Sequence, residues 1–184
     1  DNCPELVPPY LRFIRGVIDS EDLPLNISRE MLQNNPVVAK IRSSLVKRTL
    51  SDLKKKLSKE RKSYESFWVN FGPVLKEGIY EDFEKKESLL EITLFKNSKS
   101  KELISLDEYV EGMGKKQKDI YFMTGDSYEN ILNNPSLEGY KSRDINVLIL
   151  DDPVDSFWTS STPLYKEKSF KSVTKGLDDL DSFD

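Results

Sequence analysis

The residues best suited to chemistry lie in one polar segment, from Leu23 to Asn35 (LPLNISREMLQNN). Pro24 fixes its own φ angle and favours an extended conformation at the residue before it. Asn26 and Ser28 are side-chain types that cap helix N-termini, so the pattern predicts a loop that leads into a short helix. Arg29 would then lie in the first turn, where a positive charge opposes the helix dipole by about 0.3–1 kcal/mol.

Arg29 is the residue of this segment whose chemistry points beyond folding. A guanidinium group stays protonated at ordinary pH, and its planar fork matches two oxygens of a phosphate. In phosphoryl transfer, an arginine supplied by another domain accelerates the reaction about 10³- to 10⁵-fold. The residue types alone leave two interpretations open, which are a phosphate contact and an arginine that extends into solvent.

Other polar motifs favour structural roles. Gly112–Lys116 (GMGKK) lacks the spacing of a phosphate loop and follows no predicted strand, so it is interpreted as the end of a helix. Gly125–Ser127 could present a serine nucleophile, but a turn with Asp126 or Ser127 as helix N-cap fits better. Adjacent carboxylates suit a glycosidase or a cation site, although such pairs in loops are usually solvated charge.

The composition excludes several kinds of site. The chain has no histidine, which excludes histidine-based catalysis and histidine metal ligands, and its single cysteine excludes an internal disulfide. The net charge is −4 and 33% of the residues are charged, so we expect a soluble protein that binds neither nucleic acid nor membrane. The missing histidine and lone cysteine predict no metal. Without an apolar run of membrane-spanning length or a signal segment, we expect a cytoplasmic protein. The basic residues between Lys40 and Lys56 are interpreted as a solvated helix face.

The elements of the first half are mainly helical. Alternating residue types over 10–19, with a break at Gly16, predict a strand. Apolar residues at every third or fourth position predict a helix from 36 to about 59. A second helix with an interruption at 72–73 and a third helix over 81–95 are expected to follow.

The pattern changes after the polar loop 96–102, which is the best candidate for a subdomain boundary. Ser105 and Glu108 predict a capping box at the start of a helix. Three apolar segments separated by helical patterns predict strands, at 119–124, 146–150 and 169–174. Alternating strands and helices indicate a small parallel sheet covered by helices. The acidic residues 176–184 predict a frayed tail.

The run from Asp19 to Asn35 (DSEDLPLNISREMLQNN) resembles the catalytic loop in the middle segment of the ninety-kilodalton heat-shock protein family of ATP-dependent chaperones. Four other stretches agree in the same order: PPYLRFIRGVIDS, FWVNFGPVLKEGIYED, SLDEYVEGMGKKQKDIYFMTGDS and VLILDDPVDSFW. The resemblance extends over nearly all of residues 4–176. Residues 67–68 (FW) and 76–78 (KEG) are most similar to the bacterial branch, high-temperature protein G.

The resemblance implies an α/β fold made of four parts. Residues 1–59 would form the end of a larger α-β-α layer with the catalytic loop and a long helix. Residues 60–98 would form a helical coil, and residues 99–175 a small three-layer α-β-α subdomain with a short parallel sheet. Residues 176–184 would be an acidic flexible tail. The nucleotide-binding and dimerisation domains of the family would lie outside this chain.

The resemblance also implies site residues and partners. Arg29 matches an arginine that reaches the γ-phosphate of ATP, which the separate N-terminal domain binds, when the dimer closes. Gln33 matches a second polar residue of the same catalytic loop, and Asn26 would hold the shape of the loop. The chain alone is then expected to bind no cofactor and to hydrolyse no ATP. Its partners would be its own N-terminal and C-terminal domains within a homodimer, and unfolded or partly folded client proteins.

Phe157 and Trp158 form the second candidate site. The family has an acidic and an aromatic residue near this point, in a region associated with client contact, but Ser156 stands where an acidic residue is common. Exposed aromatic side chains would suit clients, whereas aromatic residues in so short a helix are more often core. Two functions therefore remain open: an accessory to a chaperone ATPase and, as the alternative, a non-catalytic client-binding module.

Overall fold

The structure is a computed structural model that describes residues 5–22, 34–161 and 164–184. The chain divides into two compact units, Asp1–Tyr64 and Glu65–Asp184. Within the described ranges, no helix is both long enough and apolar enough to cross a bilayer.

The first unit contains a 3₁₀ helix, Pro9–Leu11, and the long helix α1, Pro36–Lys59. The predicted helix is confirmed, and it begins where the side chain of Asn35 accepts a hydrogen bond of 2.8 Å from the Val37 amide. The strand predicted over 10–19 is wrong, since these residues form the 3₁₀ turn and then irregular backbone. A strand requires a neighbour to pair with, and the described part of this unit contains no other strand.

Helix α2, Arg61–Glu81, runs without a break through Gly72 and Pro73. The predicted interruption is therefore wrong. A Cβ atom at Gly72 would lie 2.6 Å from Cε2 of Trp68, so glycine leaves room for the buried indole against the helix backbone. Pro73 removes one backbone donor, but the packing of its helix continues on both sides of it.

The predicted third helix ends earlier than residue 95. A 3₁₀ turn, Phe83–Lys85, leads into α3, Lys86–Ile92, and strand β1 begins at Leu94 and ends at Asn97. The loop expected to be a subdomain boundary joins β1 to β2, Ile104–Ser105, as an antiparallel pair of the same sheet. The side-chain hydroxyl of Ser105 then accepts from the Glu108 amide and Glu108 accepts from the Ser105 amide, which confirms the capping box of α4, Leu106–Glu111.

The sheet of the second unit has six strands among the described residues, in the order β2-β1-β4-β3-β6-β5. The remaining strands are β3, Ile120–Thr124; β4, Leu148–Leu150; β5, Leu164–Tyr165; and β6, Lys168–Ser172. Strand β3 is parallel to both β4 and β6, which confirms the predicted parallel sheet. The other three pairs, β1-β2, β1-β4 and β5-β6, are antiparallel.

Helices cover both faces of this sheet. Helices α5, Tyr128–Leu132, and α6, Glu138–Ser142, contribute Ile131 and Tyr140 to a core cluster with Tyr121 of β3. Helix α7, Asp155–Ser160, packs Trp158 against Phe95 and Phe170 from β1 and β6. Tyr121 and Phe122 point to opposite faces because side chains alternate along a strand. The result is a three-layer α/β arrangement.

The acidic C-terminal segment differs from the frayed tail expected of it. Residues Leu177–Phe183 form a 3₁₀ helix, and Leu180 is buried in the core cluster. Arg143 donates two hydrogen bonds, of 2.8 and 2.6 Å, to the carboxylate of Asp184. Gly176 precedes the helix, and a Cβ atom there would lie 2.5 Å from the Tyr140 hydroxyl. Close packing therefore holds a segment whose composition alone suggests solvent exposure.

Candidate functional site

The two predicted sites differ in what the structure describes. Arg29, Gln33 and Asn26 lie in residues 23–33, outside the described ranges, so their roles stay predictions. Phe157 and Trp158 lie in α7, where the side chains are described. The candidate site among the described residues is therefore α7 with the elements of the second unit that surround it.

The structure separates the two aromatic residues of α7. Trp158 has no exposed surface, and its ring lies edge-on to Phe170 at 5.3 Å between centroids. Phe157 is 58% exposed, and its ring lies 6.0 Å from that of Tyr80 near the end of α2. Trp158 is therefore a core residue, and of these two aromatic residues only Phe157 is exposed to another molecule.

Asp155 holds α7 in position from its first turn. The side chain is fully buried, and its Oδ1 atom accepts a hydrogen bond of 2.8 Å from Nε1 of Trp158. Its Oδ2 atom accepts a hydrogen bond of 3.0 Å from the backbone amide of Asp152. The carboxylate therefore joins the loop after β4 to the buried indole and anchors the helix that carries Phe157.

Lys76 of α2 completes this network. Its Nζ atom lies 2.8 Å from Asp152 Oδ2 and 3.0 Å from Asp155 Oδ1, and only 5% of the residue is exposed. Burial lowers the pKa of Lys76, but the charges and hydrogen bonds of Asp155 and Asp152 outweigh it and leave the pKa above its usual value. Burial raises the pKa of Asp155. Lys76 is therefore protonated at neutral pH and neutralises a buried carboxylate.

Sequence reasoning missed the role of Lys76. A signal was present, because Lys76 lies beside Leu75 and three residues before Ile79, both of which are buried. A lysine there requires an acidic partner. The partner residues lie 76 and 79 positions further along the chain, so the sequence could not identify them.

The carboxyl ends of β3 and β4 border an open pocket of about 280 Å³. The sequence predicts Asp126 or Ser127 as the N-cap of α5. The structure shows Ser127 in this role, since its side chain accepts a hydrogen bond of 3.2 Å from the Asn130 amide. Asp151 pairs with Lys96 at 2.6 Å. Within the residues described, no group of three potential ligands could hold a metal ion. Thr124, Asp126, Asp151, Asp152 and Ser156 contribute polar groups to the lining of the pocket.

Taken together, the charged groups around α7 neutralise one another, while the aromatic rings of Phe157 and Tyr80 remain exposed. Exposed rings of this kind suit contact with another molecule.

The chain is similar to known proteins over nearly its whole length. The sequence model of the family described as "Hsp90 protein" matches residues 1–184. The chain is 52% identical over 180 residues to the chaperone protein HtpG of Paramagnetospirillum magneticum, which covers 98% of the chain and 29% of that protein. It is 48% identical over 181 residues to HtpG of Roseobacter denitrificans, covering 98% and 29%. It is 50% identical over 181 residues to HtpG of Wolbachia from Brugia malayi, covering 97% and 28%. The chain spans less than a third of the length of these curated relatives.

Proposed function

Since the chain belongs to the Hsp90 protein family, we propose that it serves an ATP-dependent chaperone as the part that supplies Arg29 to ATP bound by another domain. The observation that carries the proposal is about 50% identity to named chaperone proteins over nearly all of the chain. The relatives are more than three times longer, which leaves room for a nucleotide-binding domain elsewhere in the protein.

The chemistry of Arg29 fits this role. Charge on the γ-phosphate oxygens is spread out in the transition state of phosphoryl transfer, so a protein catalyses mainly by positioning groups and stabilising charge. A guanidinium stays protonated and donates two parallel hydrogen bonds to phosphate oxygens. Gln33 follows Arg29 by four residues, which is one helical turn, and would contact the same phosphate region. The partners in this proposal are the N-terminal ATP-binding domain and the C-terminal dimerisation domain of a homodimer.

The test replaces Arg29 in the full-length protein. Arg29→Ala is expected to lower ATP turnover about 10³-fold or more while the affinity for ATP changes little, because the arginine acts on the transition state. Arg29→Lys keeps the charge but loses the fork, so it is expected to recover only part of the rate. Arg48→Ala, which removes an exposed arginine paired with Asp52 in α1, is the matched control. Turnover that remains at the wild-type level in Arg29→Ala would refute the role.

A second function is favoured by the exposure of Phe157. An aromatic side chain that is 58% exposed on a helix anchored by buried charges suits contact with apolar segments of client proteins. In this function, Phe157→Ala weakens client binding and leaves the basal ATPase rate unchanged, whereas Trp158 supports the helix from the core. Wild-type client affinity in Phe157→Ala would refute this client-binding function.

A further inference from the structure

Exposed aromatic side chains are concentrated beside Phe157. Among the described residues, the exposed large apolar side chains include three aromatic ones: Tyr80 (59%), Phe83 (83%) and Phe157 (58%). They belong to three consecutive or neighbouring elements, which are the end of α2, the following 3₁₀ turn and α7. We call these three residues the aromatic strip.

Contacts connect the members of the aromatic strip. The rings of Tyr80 and Phe157 lie 6.0 Å apart at a tilt of 60°. Lys86 connects Phe83 to the same helix, because its Nζ atom lies 5.6 Å from the Phe83 ring and donates a hydrogen bond of 3.1 Å to Ser161 Oγ. Ser161 follows Phe157 by four residues and caps the end of α7. Tyr80 and Phe157 are therefore in direct contact, and Phe83 is connected to the end of α7 through Lys86.

Buried contacts make this surface rigid. Tyr80 follows Lys76 by four residues, so both project from one side of α2. Lys76 pairs with Asp155 at 3.0 Å in the interior, while Tyr80 meets Phe157 at the surface. A surface that is already ordered loses little conformational entropy when it binds another molecule. Exposed rings held in this way are preorganised for contact.

The charge beside the aromatic strip identifies the kind of partner. Residues 81–87 (EDFEKKE) carry four acidic side chains and two lysines, a net charge of −2. One of the lysines, Lys86, already contacts Phe83 and Ser161. An acidic border around aromatic rings complements a segment in which apolar residues alternate with arginine or lysine, since cations also bind the faces of aromatic rings.

We propose that Tyr80, Phe83 and Phe157 together bind an extended polypeptide segment in which apolar and basic residues alternate. The proposal rests on the client-binding function and extends it, because it adds two contact residues and assigns the partner a charge. Phe157 alone would satisfy the client-binding function, whereas the aromatic strip requires all three rings.

A labelled synthetic peptide of alternating leucine and arginine tests the proposal by fluorescence anisotropy with the 184-residue chain. Tyr80→Ala, Phe83→Ala and Phe157→Ala are each expected to weaken its binding about five- to thirtyfold, the usual effect of truncating an aromatic anchor. Tyr80→Phe keeps the ring and is expected to bind like the wild type. Leu177→Ala removes an exposed apolar side chain elsewhere in the same unit and is the matched control. Unchanged circular dichroism and urea midpoints establish that each variant is folded.

Two further peptides separate the apolar and the electrostatic contributions. Replacing every arginine by glutamate, or every leucine by serine, is expected to weaken binding at least tenfold. Equal affinity for the arginine and glutamate peptides would overturn the assigned charge. Weakening in Phe157→Ala alone would overturn the aromatic strip and leave client contact at Phe157 intact. Wild-type affinity in all three alanine variants would overturn both the aromatic strip and client contact at Phe157. If Leu177→Ala weakened binding as much as the three variants do, the aromatic strip would also be overturned.

Discussion

Replacing Lys76 by methionine is expected to destabilise the second unit strongly. The change removes the ammonium group that lies 3.0 Å from Asp155 Oδ1 and leaves a fully buried carboxylate without its counter-charge. Breaking a buried ion pair in this way costs about 3–5 kcal/mol. Asp155 keeps its hydrogen bonds from Trp158 Nε1 and the Asp152 amide, so we expect a decrease near the lower end, about 3 kcal/mol in the free energy of unfolding.

Urea unfolding followed by tryptophan fluorescence measures this decrease. The chain has two tryptophans, Trp68 and Trp158, and both are buried in the second unit. The fluorescence change therefore reports on the unit that contains Lys76. Lys99→Met in the same unit removes an exposed pair with Asp144 and is expected to cost less than about 1 kcal/mol.

A double-mutant cycle with Asp155→Asn distinguishes a specific pair from a general loss of packing. If the two charges interact directly, the double variant should lose less stability than the sum of the single variants, by about 1–3 kcal/mol. Two single effects that add within about 0.5 kcal/mol would refute the pairing. A cost for Lys76→Met no larger than that of Lys99→Met would refute the buried-charge argument altogether.

Two further predictions concern alkaline pH and a turn. Burial raises the pKa of Tyr109 to about 12, above its usual value of about 10, so its contribution to stability is complete below pH 10 and is lost as the pH rises through 12. In urea unfolding between pH 9 and 12, the free energy of unfolding should therefore fall less steeply with pH in Tyr109→Phe than in the wild type. Equal slopes in the two proteins would contradict this direction. Glu167 has a φ of 67° in the turn between β5 and β6, so Glu167→Gly should raise the free energy of unfolding by about 0.5–1 kcal/mol. The control Ser169→Gly in the adjacent strand should lower the free energy of unfolding. A Glu167→Gly protein less stable than the wild type would argue against strain in the turn.

Elements with strong local signals were predictable from sequence. The helix over 36–59 has a capping asparagine and a proline in its first turn, and Ser105 and Glu108 satisfy each other within four residues. The strands of the parallel core have continuous apolar runs, because both faces of that sheet are covered. Each of these signals lies within a short stretch of chain.

Elements that depend on distant partners were not predictable. Strands β2 and β5 have only two residues each, and the turn before β6 uses Lys166 and Glu167 in place of the asparagine and glycine that usually mark such hairpins. Helix α2 continues through Pro73 because of packing around Trp68 that no local rule contains.

The amino-acid sequence by itself determined the family, through its similarity to known chaperones, and the order of the main elements, through residue types at fixed spacing. The prediction for Arg29 also comes from that similarity. Only the tertiary structure decided which of two adjacent aromatic residues faces solvent. Phe157 and Trp158 differ by about 100° around the axis of α7, and the side that is buried depends on how the helix meets the sheet and Lys76. The charge pair that contributes to this orientation joins residues 79 positions apart, and no short stretch of sequence contains both of its members.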